Sequence, residues 1–168
     1  MGESAPCPPT GNPIATSSHH GFLCCCSRQD VRSNHHANPP QSLDFNIALT
    51  DATTHLLHFT RMPAAKLTSI QTAIDKAFTA AGHRAPTSTY TNSPSAKNFQ
   101  PGGPAYGIHN TNGGRFCIVG GGLPILVQGV CVGAIGVSTG TPAQDEEVAR
   151  AGVEGVERWL GRREGAKL

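Results

Sequence analysis

Long apolar runs are missing from this sequence, and with them any helix able to cross a bilayer, since no stretch approaches the ~20 residues that a crossing requires. Met1 to Gly21 also lacks a positive n-region followed by an apolar stretch of signal-peptide length, so a cytoplasmic protein is expected. Aromatic residues are scarce at 5%, and charged residues, at 14%, are few enough to exclude a chain kept open by its own charge. The net charge is only +2, with the positive residues dispersed. The one dense basic cluster, Arg158, Arg162 and Arg163, lies at the end of a predicted helix, where cations complement the dipole, so nucleic acid is not implied. There is no disulfide framework either: Cys24, Cys25 and Cys26 are consecutive, Cys7 is isolated, and Cys117 and Cys131 fall in predicted strands, which suits thiols in a reducing compartment. Nor is there a Gly-x-Ser-x-Gly elbow, or a context that would activate Cys117 or Cys131 as a nucleophile.

What is present divides into two parts. Residues 1–44 show neither a helical nor a strand period and read as a disordered or aberrant N-terminal tail. Their pairs His19-His20 and His35-His36 around the cysteine triplet fit no zinc module. From Phe45 the texture changes, and residues 45–164 read as one domain with a single core. Phe45 to Leu49 and His55 to Phe59 read as two antiparallel strands across an Asp-Ala-Thr-Thr turn. A helix follows, with Thr68 and Gln71 as its capping box and Gly82 at the left-handed C-terminal position. Its expected buried stripe is Ile70, Ala73, Ile74, Ala77, Phe78 and Ala81. The proline-rich stretch from His83 to Gly114 reads as a long loop with a short helical turn, a kind of segment that is often functional. Three strands are then expected, Phe116 to Val119, Leu123 to Val127 and Val130 to Ser138, the last two joined by Gln128-Gly129. A final helix starts at Thr141-Pro142-Ala143-Gln144, ends before Lys167, and buries Val148, Gly152, Val156 and Trp159 or Leu160. The fold class is therefore α/β (α+β): a mainly antiparallel sheet of about five strands with packed helices.

Three blocks carry a more specific signal: Gly120-Gly121-Gly122-Leu123-Pro124-Ile125, Gly133-Ala134-Ile135-Gly136-Val137-Ser138, and Gln144-Asp145-Glu146-Glu147-Val148-Ala149. With Asp51, His55-Leu56, Arg61-Met62 and Ala73-Ile74-Asp75-Lys76-Ala77, they resemble the GlcG/HbpS family over about two-thirds of the chain. These are small α/β haem-binding or cofactor-associated proteins that also occur fused to PduO-type enzymes. The sequence departs from the family pattern at the front, where members usually carry an amphipathic helix before the first strand; without it, one side of the sheet should expose an apolar patch that favours association or instability. Thr53-Thr54 replaces a glycine-rich turn, Pro63 stands where many members have Asp, and Thr139 where a glycine often follows the serine.

The resemblance implies a haem or tetrapyrrole ligand, with haem degradation or redox sensing as further expectations, and a homo-oligomer without membrane or nucleic-acid partners. Haem needs an apolar slot, an axial donor and cations or hydroxyls for its propionates. His109 in the long loop, His83 after the helix and His55 at a family position are the candidate donors, each weighed against an ordinary surface histidine. His58, three residues along the strand from His55, should face the opposite side. Arg61 and Lys76 are candidate anion contacts, against structural pairing with Asp51 or Asp75. Asp145 and Glu146 suit the positive end of the last helix and are only weak metal candidates. Two other readings stay open: a small enzyme acting on an organic acid or secondary metabolite through a pocket of Arg61, Lys76 and His109, and an oligomeric accessory subunit without a ligand.

Overall fold

The computed structural model describes residues 43–165, with side chains to residue 160. The tail reading, including its histidine pairs and cysteine triplet, lies outside the described residues except at Leu43 and Asp44. Strands β1 (Asn46–Asp51), β2 (Leu56–Arg61), β3 (Gly122–Val127) and β4 (Val130–Ser138) form one antiparallel sheet in the order β2-β1-β4-β3. Helices α1 (Ser69–His83), α2 (Thr89–Asn92) and α3 (Pro142–Gly165) complete the elements, with three 3-10 turns between α2 and β3.

Alternation along the two central strands sends helices to opposite faces. Ala48 of β1 packs with Ala73 and Ala77 of α1, whereas Ile47 joins Ile135, Val137 and Leu123 beneath Val148 and Ala149 of α3. The α1 face is built for close approach: a Cβ on Gly136 would run into the backbone of Ala73 and Ala77, so this strand residue must be glycine for the helix to rest on it. Because the helix backbone itself touches the sheet, its small residues go deepest. Ala73, Ala77, Ala80 and Ala81 are buried as expected of such a stripe, together with Lys76 and Thr79, while Ile70, Ile74 and Phe78 stay half-buried at its flanks.

Two hairpins show why the local sequence suffices. Gln128 and Gly129 take φ of 51° and 78°, the type I′ geometry that joins β3 to β4. In the β1–β2 turn one carboxylate oxygen of Asp51 accepts the amides of Thr53 and His55 at 2.8 and 2.9 Å, and the Thr53 hydroxyl at 2.8 Å. Thr54 then adopts φ 72°, the region a glycine would occupy at lower cost.

At α3 the expected capping box forms: Thr141 N–H donates to Gln144 Oε1 at 2.9 Å and Gln144 N–H to Thr141 Oγ1 at 3.4 Å. At α1 it does not. Thr68 is already helical (φ −68°, ψ −16°), wound in by the turn at Lys66 and Leu67, and Gln71 instead donates to Asp75 at 2.8 Å. The helix also runs past Gly82, and Arg84 takes the left-handed position at φ 55°.

The largest correction concerns the strand expected over Phe116–Val119: the sheet has four strands and ends at β3. Threonine hydroxyls satisfy that segment in place of a ladder. Thr79 accepts the Cys117 amide at 2.9 Å and donates to the Arg115 carbonyl at 3.3 Å, and buried Thr87 donates to the Val119 carbonyl at 2.7 Å. Helix α3 covers β3 and β4 on its face of the sheet, leaving the β2 side to half-buried His58 and Thr60, joined at 2.9 Å. Leu56 and Leu57 of β2 are exposed, Leu57 to 67%.

Candidate functional site

The long connection between α1 and β3 folds back over the end of α1 and gathers an aromatic cluster around Phe116. Four of the nine aromatic residues of the chain lie between positions 90 and 116, and all four belong to this cluster. Phe116 and Tyr90 are buried at its centre, 5.1 Å between ring centroids, with Phe99 at 4.9 Å from Tyr90. The His83 imidazole lies against Phe116 at 4.8 Å and edge-on to Tyr90 at 5.7 Å. His109 approaches the other rings from the loop, 6.2 Å from Phe116 and 5.6 Å from Tyr106. Geometries of this kind place ring edges on ring faces. Tyr106 is exposed to 48%, so the cluster reaches the surface.

The two imidazoles are held differently. Nε2 of His109 lies 3.2 Å from the Phe99 carbonyl, an acceptor only, so that nitrogen carries the proton and Nδ1 of the neutral ring keeps its lone pair. His83 is exposed, and its ring nitrogens make no hydrogen bond among the described residues. Burial pushes the Tyr90 hydroxyl up from its ordinary pKa, keeping it neutral. At the margin, Arg115 pairs with Asp75 at 3.2 Å and lies 3.9 Å above the Phe78 ring.

Of the five residues singled out as ligand contacts, the fold thus brings His83 and His109 to one cluster and leaves the other three elsewhere. His55 sits exposed at the β1–β2 turn, 2.9 Å from the Thr53 hydroxyl. Arg61 is exposed at the end of β2 and donates to the Pro63 carbonyl at 3.3 Å, with no carboxylate partner among the described residues. Lys76 is 1% exposed and does not face a cavity: its Nζ donates to Asp145 Oδ2 at 2.7 Å and to the Val137 carbonyl at 2.9 Å. Its partner is therefore Asp145, across the sheet's edge, and neither Asp51 nor Asp75.

That pair also accounts for Asp145, whose second oxygen accepts the Gly140 amide at 2.9 Å. Burial pushes its carboxyl pKa up, and the Lys76 ammonium and the Gly140 amide pull it back. Glu146 pairs with Arg150 at 3.1 Å. Among the described residues no three His, Cys, Asp or Glu side chains come together as a metal site. Cys117, half-buried beside the cluster, has its thiol pKa raised by burial, as the absence of an activating context implies. The aromatic partners of the two histidines were open to sequence reasoning through their concentration in one loop. Lys76 and Asp145 were not, because 69 positions separate them.

Comparison with known proteins agrees with this fold. Residues 31–154 match the family model described as haem degrading protein HbpS-like. A Citrobacter freundii protein, the uncharacterized 15.0 kDa protein in the dhaT-dhaS intergenic region, is 35% identical over 118 residues, 68% of this chain and 80% of its own length. Among solved structures, the Klebsiella pneumoniae protein ORFY superposes with a TM-score of 0.68 at 24% identity, over 86% of this chain and 97% of that one. The PduOC:heme complex superposes with a TM-score of 0.67 at 25% identity, over 84% and 95%. With the family model matched across most of its length and the same α/β architecture in these structures, the chain belongs to the HbpS-like family.

Proposed function

We propose that this protein binds haem or a closely related tetrapyrrole at the aromatic cluster, with His83 as the axial donor. The observation that carries the reading is an exposed imidazole, without a hydrogen bond among the described residues, packed against the Phe116 and Tyr90 rings. A similar fold, PduOC, has been solved as a haem complex, which supports the same ligand class. The residues fit what the group requires. Exposed Tyr106 and half-buried Phe99 offer apolar ring surface over the buried Tyr90 and Phe116, and Arg84 and Lys97, both exposed, offer cations for propionates. When bound, haem would supply iron that takes an imidazole ligand and changes oxidation state. The chain's own part is to hold that imidazole in place, His83 by its aromatic neighbours and His109 by its bond to the Phe99 carbonyl.

A pocket lined by Arg61, Lys76 and His109 would favour the organic-acid reading, and Lys76 is instead enclosed against Asp145 and the Val137 carbonyl. Haem degradation and redox sensing build on binding and are tested after it, by whether the Soret band of the complex decays under reductant and air. Homo-oligomerisation belongs to the same proposal, supported by exposed Leu56, Leu57 and Leu67. Electron paramagnetic resonance of the ferric complex tests the axial assignment. His83→Ala should lose the nitrogen-ligated signal of the wild type, whereas an identical spectrum in both would sink the assignment.

A further inference from the structure

An open groove of about 740 Å³ lies between α2, the segment at Gly120 and the start of α3. Its chemistry differs from that of the cluster, since no aromatic ring and no imidazole lines it. Val119, Pro142 and Ala143 give it apolar surface; Ser88 and Asn92 add groups that both donate and accept, while the Thr91 and Thr141 hydroxyls, whose protons go to the Ser88 carbonyl and to Gln144 Oε1, keep lone pairs to accept with. Glu146 and Arg150 pair with each other at 3.1 Å, so their charges largely cancel, and Glu147 adds an acceptor. Gly120 is buried, yet among the described residues its backbone makes no hydrogen bond, an uncommon condition for a buried peptide.

We infer that this groove binds a small, uncharged, polyhydroxylated molecule, with the Gly120 backbone and the flanking hydroxyls as its hydrogen-bond partners. Each neighbouring hydroxyl of such a ligand needs a donor and an acceptor at close spacing, and its C–H face needs a patch like Pro142 and Val119. The Glu147 carboxylate, left over once Glu146 is paired with Arg150, opposes an anion, and a flat tetrapyrrole would find neither a ring to stack on nor an axial donor among the lining residues.

Gly120 supplies a clean test. A Cβ there would meet Pro142 Cβ at 3.4 Å and Glu146 Oε2 at 3.5 Å, ordinary contacts, so Gly120→Ala should fold while placing a methyl on the groove wall. Amide-resolved NMR of the full chain, titrated with D-ribose, acetate and haemin in separate experiments, reads the outcome. D-ribose should shift the Gly120, Thr91 and Thr141 amides saturably, and folded Gly120→Ala should bind it at least about tenfold more weakly, a loss of about 1.4 kcal/mol. Acetate or haemin shifting those amides in place of D-ribose, no saturable shift, or unchanged affinity in the variant would each overturn the inference. Haemin at the cluster would also move Thr91, which adjoins Tyr90, so the D-ribose titration and its weakening in Gly120→Ala decide this inference whether or not the cluster binds haem.

Discussion

At the residue scale, the Lys76–Asp145 pair is the most consequential contact in the domain, because both groups are almost completely enclosed and each satisfies the other. A buried pair adds little over a well-packed apolar substitute, but breaking it strands a charge. Lys76→Met should therefore lose about 3–5 kcal/mol in urea unfolding, and Lys76→Met combined with Asp145→Leu should recover much of that loss. The pH dependence of the single variant has a definite sign. With its carboxyl pKa raised in the folded state, Asp145 favours folding when protonated, so stability should be greatest in acid and fall as pH rises through that pKa. A variant growing more stable with rising pH would contradict the buried geometry. Asp51 shows the opposite sign: hydrogen bonds from the Thr53 hydroxyl and the His55 amide hold its carboxyl below the usual range. Its support of the turn is present above the unfolded carboxyl pKa and is lost as pH falls through the folded one. The Thr53 and His55 amide shifts should titrate with a midpoint below that of a free aspartate, and a midpoint at or above it would remove Asp51 from the turn.

At the scale of elements, what the sequence revealed follows how local the determinants are. The β3–β4 hairpin, the capping box of α3 and the β1–β2 turn each depend on residues within four positions of one another, and all three were legible. The supposed strand at Phe116–Val119 was not, because its apolar alternation is equally satisfied by Phe116 entering an aromatic cluster while two distant threonines take up the backbone. Lys76 reads as a surface cation until Asp145 is placed beside it by the whole fold. At the candidate site, His83 was visible as an imidazole at the end of a helix and His109 as one in the long loop, but their convergence on Phe116 depends on the path of some thirty intervening residues, for which no periodicity exists. Thr79→Val tests the substitution of side chain for ladder. It removes the acceptor of the Cys117 amide and the donor to the Arg115 carbonyl, and should cost about 1–3 kcal/mol with loss of exchange protection at Cys117. Undiminished protection there would mean that the segment finds its partners in the sheet after all.

At the scale of the whole molecule, the described residues form a four-stranded sheet with one long helix on each face, and the groove and the aromatic cluster meet at α2. The helices leave the β2 side of the sheet exposed, with Leu56 and Leu57 in water. If that surface is covered by a second copy, sedimentation of the full chain should show a species larger than the monomer, and Leu57→Asp should shift it toward the monomer. A monomer at all concentrations would leave β2 as a simple solvent edge. No described helix is long and apolar enough to cross a membrane.

The central claim is that the aromatic cluster is a tetrapyrrole site, and a haemin titration of the purified full chain, followed through the Soret band, tests it most directly. Binding should saturate near about one haem per chain, as a single axial-donor site requires. His83→Ala and His109→Ala should weaken it, while His55→Ala, whose ring bonds the Thr53 hydroxyl and makes none of the cluster's ring contacts, should leave it unchanged. A folded protein that produces no saturable Soret shift, or one whose affinity is indifferent to both cluster histidines, would contradict the claim.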